Sequence, residues 1–321
     1  MKNGFRLIAV LALAAGATGV LGQPYPAKPV RVIVGFAPGG VVDTPTRIVA
    51  TKLGDLWGMS LVVENRPGAG GSTAAGYAAK APADGYTLLA CNTASHGVNP
   101  AIYKQLAYDP VKDYAPVAQI GFVPNVLLVH PSVEAKSMRE LVAYAKANPG
   151  KLSMASAGVG TSQHMSIELF KSMTGTDITH IPYKGGAPAL SDLLGGQIPS
   201  LITGLPAGLG AARSGRARAL GVTTPGRSPH LPDVPAISES VPGYEVSSWV
   251  GICAPAGVPK AIVSKLNADI VKVLGMPDTK QKLEDQGVEA APNTPEQFTA
   301  FIAAEIAKWA RVAKAAGINP E

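Results

Sequence analysis

The chain has 321 residues, enough for one large core or two medium ones. With 46% hydrophobic and 16% charged residues, and Gly (36) and Pro (28) abundant but unrepetitive, it is not a disordered or low-complexity polymer and fits a loop-rich α/β protein. A net charge of +6 suits small anionic ligands, whereas the densest basic cluster, Arg213, Arg216 and Arg218, lacks interleaved aromatics and argues against nucleic acid.

The first 22 residues read as a secretory signal peptide. Lys2 and Arg6 form a positive start, Leu7–Leu21 is an apolar run, and Val20-Leu21-Gly22 suits cleavage before Gln23. The competing reading is a membrane anchor, but the run is shorter than the ~20 residues that a spanning helix needs. Cleavage removes two cations and lowers the net charge to about +4. Export across a membrane is expected.

The mature chain opens with strand–turn–helix units. Val30–Phe36 is an apolar strand, and Ala37-Pro38-Gly39-Gly40 is a glycine turn. The following helix carries Ile48, Val49, Leu53, Leu56 and Trp57 at helical spacing, with Asp43 in its first turn. Leu61–Asn65 is a second strand, feeding the turn Arg66–Ser72 and an alanine-rich helix to Lys80. Tyr86–Cys91 is a third, ending in the polar loop Asn92-Thr93-Ala94-Ser95-His96. Three such units in a row imply a parallel sheet with ligand loops at the strands' carboxyl ends.

Pro116–Ile120, a break, and Asn125–His130 read as the chain crossing to a second lobe that repeats the scheme. A helix is expected at Ser137–Ala147 and a strand at 151–155. The second glycine turn, Ser156-Ala157-Gly158-Val159-Gly160-Thr161, then leads into a helix beginning near Ser162-Gln163-His164. Thr179–Tyr183, Ser200–Gly204 and Ala217–Thr223 read as strands, Ala187–Leu194 as a helix, and 225–245 as irregular. Trp249–Ala254 returns to the first lobe, and helices Pro259–Leu274 and Pro295–Ala316 close the chain. The expected division is 23–122 with 250–321 as lobe one and 123–249 as lobe two, joined by two crossing segments that act as a hinge. Cys91 and Cys253 both lie in apolar strand-like runs, where buried free thiols are favoured over a disulfide.

Helix starts with bare N–H groups attract anions, so both turns are candidate sites. The expected ligand-binding residues are Phe36, Ala37, Pro38, Gly39, Gly40, Asn92, Thr93, Ser95, Ser156, Ala157, Gly158, Thr161, Ser162, Gln163, His164, Tyr183 and Thr203. Several carry a competing reading. Ser156 and Thr161 equally suit capping of their own helix, and Gln163 and His164 equally suit packing. Phe36 equally suits the core. Lys184 is either at the site or solvated, and Gly70-Gly71-Ser72 is either a further anion turn or tight packing. Five histidines form no HxxxH pair, and CxxC, GxSxG and a P-loop Lys-Ser/Thr are missing, so an enzyme, a metal site and a phosphate grip are all disfavoured.

The ordered set Pro38-Gly39-Gly40-x-x-Asp43-x-x-x-Arg47, Glu64–Gly71, Asp84–Leu89, Gly160–His164, Ile181–Leu190, Leu193–Gln197 and Ala254–Gly257 resembles the Bug proteins, the substrate-binding family of tripartite tricarboxylate transporters. The resemblance covers the whole mature chain. It implies an extracytoplasmic receptor of the periplasm with a type II periplasmic-binding-protein fold, two α/β lobes, no cofactor and a small carboxylate ligand. It also implies a membrane permease or a sensor as partner; a monomer is expected. Two departures bear on specificity: Pro199-Ser200 follow Ile198 where the family has an acid, and Leu205–Arg216 lacks the family's polar pair. Both disfavour an amino-acid ligand and make the second lobe's wall more apolar.

Overall fold

The computed structural model describes residues 25–318; the expected signal peptide and its cleavage site before Gln23 lie outside them. Around one ten-stranded sheet the elements run β1 (Val30–Val34), α1 (Asp43–Trp57), β2 (Leu61–Asn65), α2 (Ser72–Ala79), β3 (Thr87–Asn92) and α3 (Asn99–Ile102). Then come β4 (Tyr114–Val129), α4 (Met138–Ala147), β5 (Ser153–Ser156), α5 (Ser162–Thr174), β6 (Thr179–Pro182), α6 (Gly186–Leu194), β7 (Ser200–Gly204) and α7 (Leu205–Arg213). The chain closes with β8 (Arg218–Val222), β9 (Ser247–Pro255), α8 (Lys260–Leu274), α9 (Pro277–Asp285), β10 (Glu289–Ala290) and α10 (Pro295–Ala315).

The sheet order is β2-β1-β3-β9-β4-β7-β5-β6, with β8 and β10 also on β4. The expected break near residue 121 is absent: β4 is one strand of 16 residues. Tyr114–Pro124 pair antiparallel with β9 and Asn125–Val129 with β7, so a single strand belongs to both lobes. Pairing with β9 along Gly121–Pro124, and with β10 at Gly121 and Phe122, supplies partners for this backbone, which local composition alone could not promise. Within each lobe the remaining core strands are parallel: β2-β1-β3 in the first and β7-β5-β6 in the second.

Apolar helix faces cover both sides of each half-sheet. In the first lobe Val49 and Leu53 of α1 with Leu266 and Ile270 of α8 seal one face, and Ala74 and Ala78 of α2 with Phe298 and Ile302 of α10 seal the other. In the second lobe Leu141 and Phe170 lie on one face, and Leu193 and Leu205 on the other. Helix α10 spans both: Trp309 and Ala313 pack with Met165 and Phe170.

Cys91 and Cys253 form a disulfide, correcting the expectation of free thiols. Strands β3 and β9 are antiparallel neighbours with Cys91 opposite Gly251 and Cys253 opposite Leu89, which brings the Cα atoms to 5.8 Å. A register between segments 162 residues apart leaves no local trace in sequence.

Beside this bridge, the buried Glu305 carboxylate accepts hydrogen bonds from Trp249 Nε1 (2.9 Å) on β9 and Trp309 Nε1 (2.8 Å) on α10. Replacing Glu305 by Leu strands two buried donors, and should lower unfolding stability by roughly 3 kcal/mol. Glu305→Gln, which keeps an acceptor, should cost less. Chemical denaturation followed by tryptophan fluorescence measures both; a loss below about 1 kcal/mol for the Leu variant would show that the clasp carries little.

Candidate functional site

Six parallel strands end in a turn that starts a helix, three in each lobe. Parallel sheets place these handovers at one edge, and here the two edges face each other. A Cβ placed on Gly185, whose φ of +139° already favours glycine, would lie 3.0 Å from the Ala37 Cβ. One placed on Gly204 would lie 2.8 Å from the Val41 Cβ. The start of α1 therefore meets the starts of α6 and α7. Between the lobes lies a cavity of about 230 Å³. Gly35, Phe36 and Gly68–Gly71 form its first-lobe wall; Ala157–Val159, Tyr183 and Lys184 form its second-lobe wall; Tyr103 closes it.

The first turn is braced from within. The Asp43 carboxylate is buried, accepts from Gly39 N–H at 2.9 Å and from Asn65 Nδ2 at 2.8 Å, and pairs with Arg47 Nε at 2.9 Å. Asn65 Nδ2 also donates to the Phe36 carbonyl (2.9 Å). The Gly39 N–H is thus committed to Asp43 and is not an open donor, which corrects its expected role. Burial would raise the Asp43 carboxyl, but bonds from Arg47, Asn65 and Gly39 with the Arg47 charge hold it below the usual carboxylate range.

The second turn is braced in the same way. Ser156 Oγ accepts from Gly158 N–H (3.1 Å) and lies 2.7 Å from His180 Nε2. Thr161 is the N-cap of α5, accepting from His164 N–H (3.2 Å) and donating to the Gly158 carbonyl (2.7 Å), so capping takes both functions of its hydroxyl. Gly160 N–H donates to His164 Nδ1 (3.3 Å), and the His164 ring stacks on His180 with centroids 4.3 Å apart. Burial, then the neighbouring His164 and Lys171, push His180 down to about 3, so it is neutral at pH 7. Asn125, at the lobe crossing on β4, bonds both Ser162 Oγ (3.4 Å) and Gln163 Nε2 (2.7 Å).

Of the expected residues, Phe36, Ala157, Gly158 and Tyr183 line the cavity. Ala37 lies at the lobe contact, Pro38 and Gly39 are exposed at the turn, and the Gly40 carbonyl accepts from Thr44 N–H. Asn92, Thr93 and Ser95 do not line it. Asn92 Oδ1 accepts from Ala94 and Ser95 N–H, Ser95 Oγ bonds His96 Nδ1, and Thr93 Oγ1 accepts from Trp249 N–H. Thr203 is fully buried at the end of β7. Tyr183 Oη donates to Asp192 (2.7 Å), which raises its pKa to about 12.

Gly68–Gly71, Lys184, Val159 and Tyr103 also line the cavity and lie outside the residues expected from sequence. The first two had visible signals, a glycine turn before a helix and a basic residue beside Tyr183. Tyr103 has none, because no local pattern marks the short helix Asn99–Ile102 that it follows. Among the described residues that line the cavity, one is cationic, Lys184, and none is acidic. The helix ends each contribute about half a positive charge, so the site favours an anion. No group of His, Cys, Asp and Glu among the described residues could hold a metal, and no described helix is long and apolar enough to cross a membrane.

Replacing Asp43 by Asn should cost roughly 2 kcal/mol at pH 7. The Asp43 carboxyl is depressed in the fold, so its contribution is complete above the ordinary value near ~4 and is lost as pH falls through the folded value. Melting curves should therefore show the wild-type advantage shrinking below about pH 4; a gap independent of pH would overturn the bracing role.

The sequence model described as "Tripartite tricarboxylate transporter family receptor" matches residues 46–318. The chain is similar to BugT of Bordetella pertussis, 38% identical over 321 residues, covering 98% of each chain. It is similar in structure to R. palustris Rpa4515 solved with adipate, at 41% identity and TM-score 0.90, covering 92% of this chain and 100% of that one. It is also similar to MatC of Rhodopseudomonas palustris with bound malate, at 33% identity and TM-score 0.84, covering 90% of this chain and 99% of that one. The chain belongs to the tripartite tricarboxylate transporter receptor family, whose members bind solutes and are not enzymes.

Proposed function

We propose that this member of the receptor family is a periplasmic solute receptor. It binds a small carboxylate between its two lobes and presents the closed form to a membrane permease. The lobes in this reading are residues 23–122 with 250–321, and residues 123–249. The observation that carries it is the meeting of strand-to-helix turns from both lobes around a cavity lined by Lys184 and no acid. Helix ends and amides bind a carboxylate without a full counter-charge, so the site can be buried and still release its ligand.

Relatives solved with adipate and malate support the ligand class. Both ligands are dicarboxylates of different length, consistent with a shared anion grip and a variable remainder. A ligand ammonium would need an acid in the wall, and none lines this cavity among the described residues; amino acids are therefore disfavoured. Closure follows because contacts from both lobes stabilise only the closed state. The protein acts as a monomer in this scheme, since both walls come from one chain.

A thermal-shift panel of succinate, malate, adipate, benzoate, phosphate, glucose and alanine tests this. A carboxylate at 100 times its Kd should stabilise the protein by about 2.7 kcal/mol. Stabilisation by phosphate or glucose with no response to any carboxylate would sink the proposal.

A further inference from the structure

We infer that Gly204 and Val41 form the stop that sets how far the lobes close, and so act as positioning residues for the ligand; this rests on the closing receptor proposed above. Gly204 is the N-cap of α7 in the second lobe, and Val41 stands two residues before α1 in the first. A Cβ placed on Gly204 would lie 2.8 Å from the Val41 Cβ and 3.2 Å from its Cγ2. Carbon atoms pack at about 3.5–4.0 Å. A side chain at 204 and the present contact between the lobes therefore exclude each other.

No described residue of its own lobe demands glycine here. The Gly204 backbone has φ −63° and ψ 143°, which any residue adopts. The third neighbour of the added Cβ, Pro206 Cδ at 3.7 Å, is an ordinary van der Waals contact. Gly185 and Gly287 meet Ala37 and Leu205 across the same seam, but their φ values of +139° and +71° call for glycine in their own turns. At Gly204 the missing side chain answers to the opposite lobe.

The stop is stiff on both sides. Val41 is β-branched, packs against the first-lobe core and lies two residues before Asp43, whose carboxylate braces the turn. Gly204 is held in register with Asn125 of β4. Asn125 follows Pro124, where the pairing of β4 with β9 ends, so the contact sits beside the crossing strand. Gly185 follows β6, the strand farthest along the order β4-β7-β5-β6. A displacement beside the pivot is magnified toward that end, where Tyr183 and Lys184 line the cavity. A methyl group at 204 thus opens the cavity without touching a residue that lines it.

Three variants of the full mature chain, Gly204→Ala, Val41→Gly and the two together, test the stop. Nitroxides on Asp55→Cys and Arg216→Cys read the interlobe distance without any ligand. Gly204→Ala should deplete the shortest distances, and adding Val41→Gly should bring them back. Calorimetry with succinate, malate and adipate reads binding. Gly204→Ala should lose about 10- to 100-fold in affinity for whichever of these the wild type binds. The double variant should recover to within about threefold of Val41→Gly alone. The melting temperature of ligand-free Gly204→Ala should stay within about 2 °C of wild type, because the open form relieves the clash. An unchanged distance distribution in Gly204→Ala would overturn the stop whether or not a ligand binds. So would an affinity loss that Val41→Gly does not repair. A Gly204→Ala chain that fails to fold even with Val41→Gly would make the glycine a need of its own lobe and overturn the stop as well. Binding of none of the three acids by the wild type would overturn the carboxylate reading and leave the distance measurement to decide the stop.

Discussion

The antiparallel pairing of β4 with β9 and then with β7 is the constraint on which the rest depends. One strand enters the sheet of the first lobe at Tyr114 and leaves that of the second at Val129. It has a partner strand all along the way, so the lobes share a ladder instead of hanging on free linkers. The parallel strands on each side then end toward the same interface, and their helices begin there. The Cys91–Cys253 bridge and the Glu305 clasp on Trp249 both tie β9 down next to this crossing. In the proposed closure, the motion between the lobes falls on the few residues around Pro124 and Ser247, where the pairing of β4 with β9 ends.

The two glycine turns spend part of their own polarity on shape. Gly39 gives its N–H to Asp43, Gly158 to Ser156 and Gly160 to His164. An anion socket built this way does not need to reorganise when the ligand arrives, which lowers the cost of binding. In the proposed receptor, the charge that attracts the ligand comes from helix ends of both lobes and from Lys184, which lines the cavity. Asp43 could have cancelled it, but its carboxylate is held by Arg47 on the same helix.

Most of the architecture was legible in the sequence because it is local. The apolar run Val30–Val34, the glycine turn after it and the periodic face of α1 each follow from residues within one element. The second lobe repeated the pattern, and its strands and helices fall where the repetition put them. What could not be read was set by partners far away in the chain. The disulfide depends on the register of β3 against β9. The continuity of β4 through Gly121–Pro124 depends on β9 as partner. The polar loop after β3 looked like a ligand loop because its side chains are those that bind ligands. In the structure Asn92 and Ser95 instead build the π-helical turn Ala94–Val98, and Thr93 holds the crossing strand. Composition cannot tell such internal use from an open site.

A receptor of this kind must grip its ligand with both lobes at once. Pulsed electron spin resonance between nitroxides on Asp55→Cys in α1 and Arg216→Cys beyond α7 measures this directly. Both positions are exposed, and Cys91 and Cys253 are paired, so labelling is selective. Saturating dicarboxylate should shorten and narrow the distance distribution between the lobes. A distribution unchanged by a ligand that demonstrably binds would contradict the account.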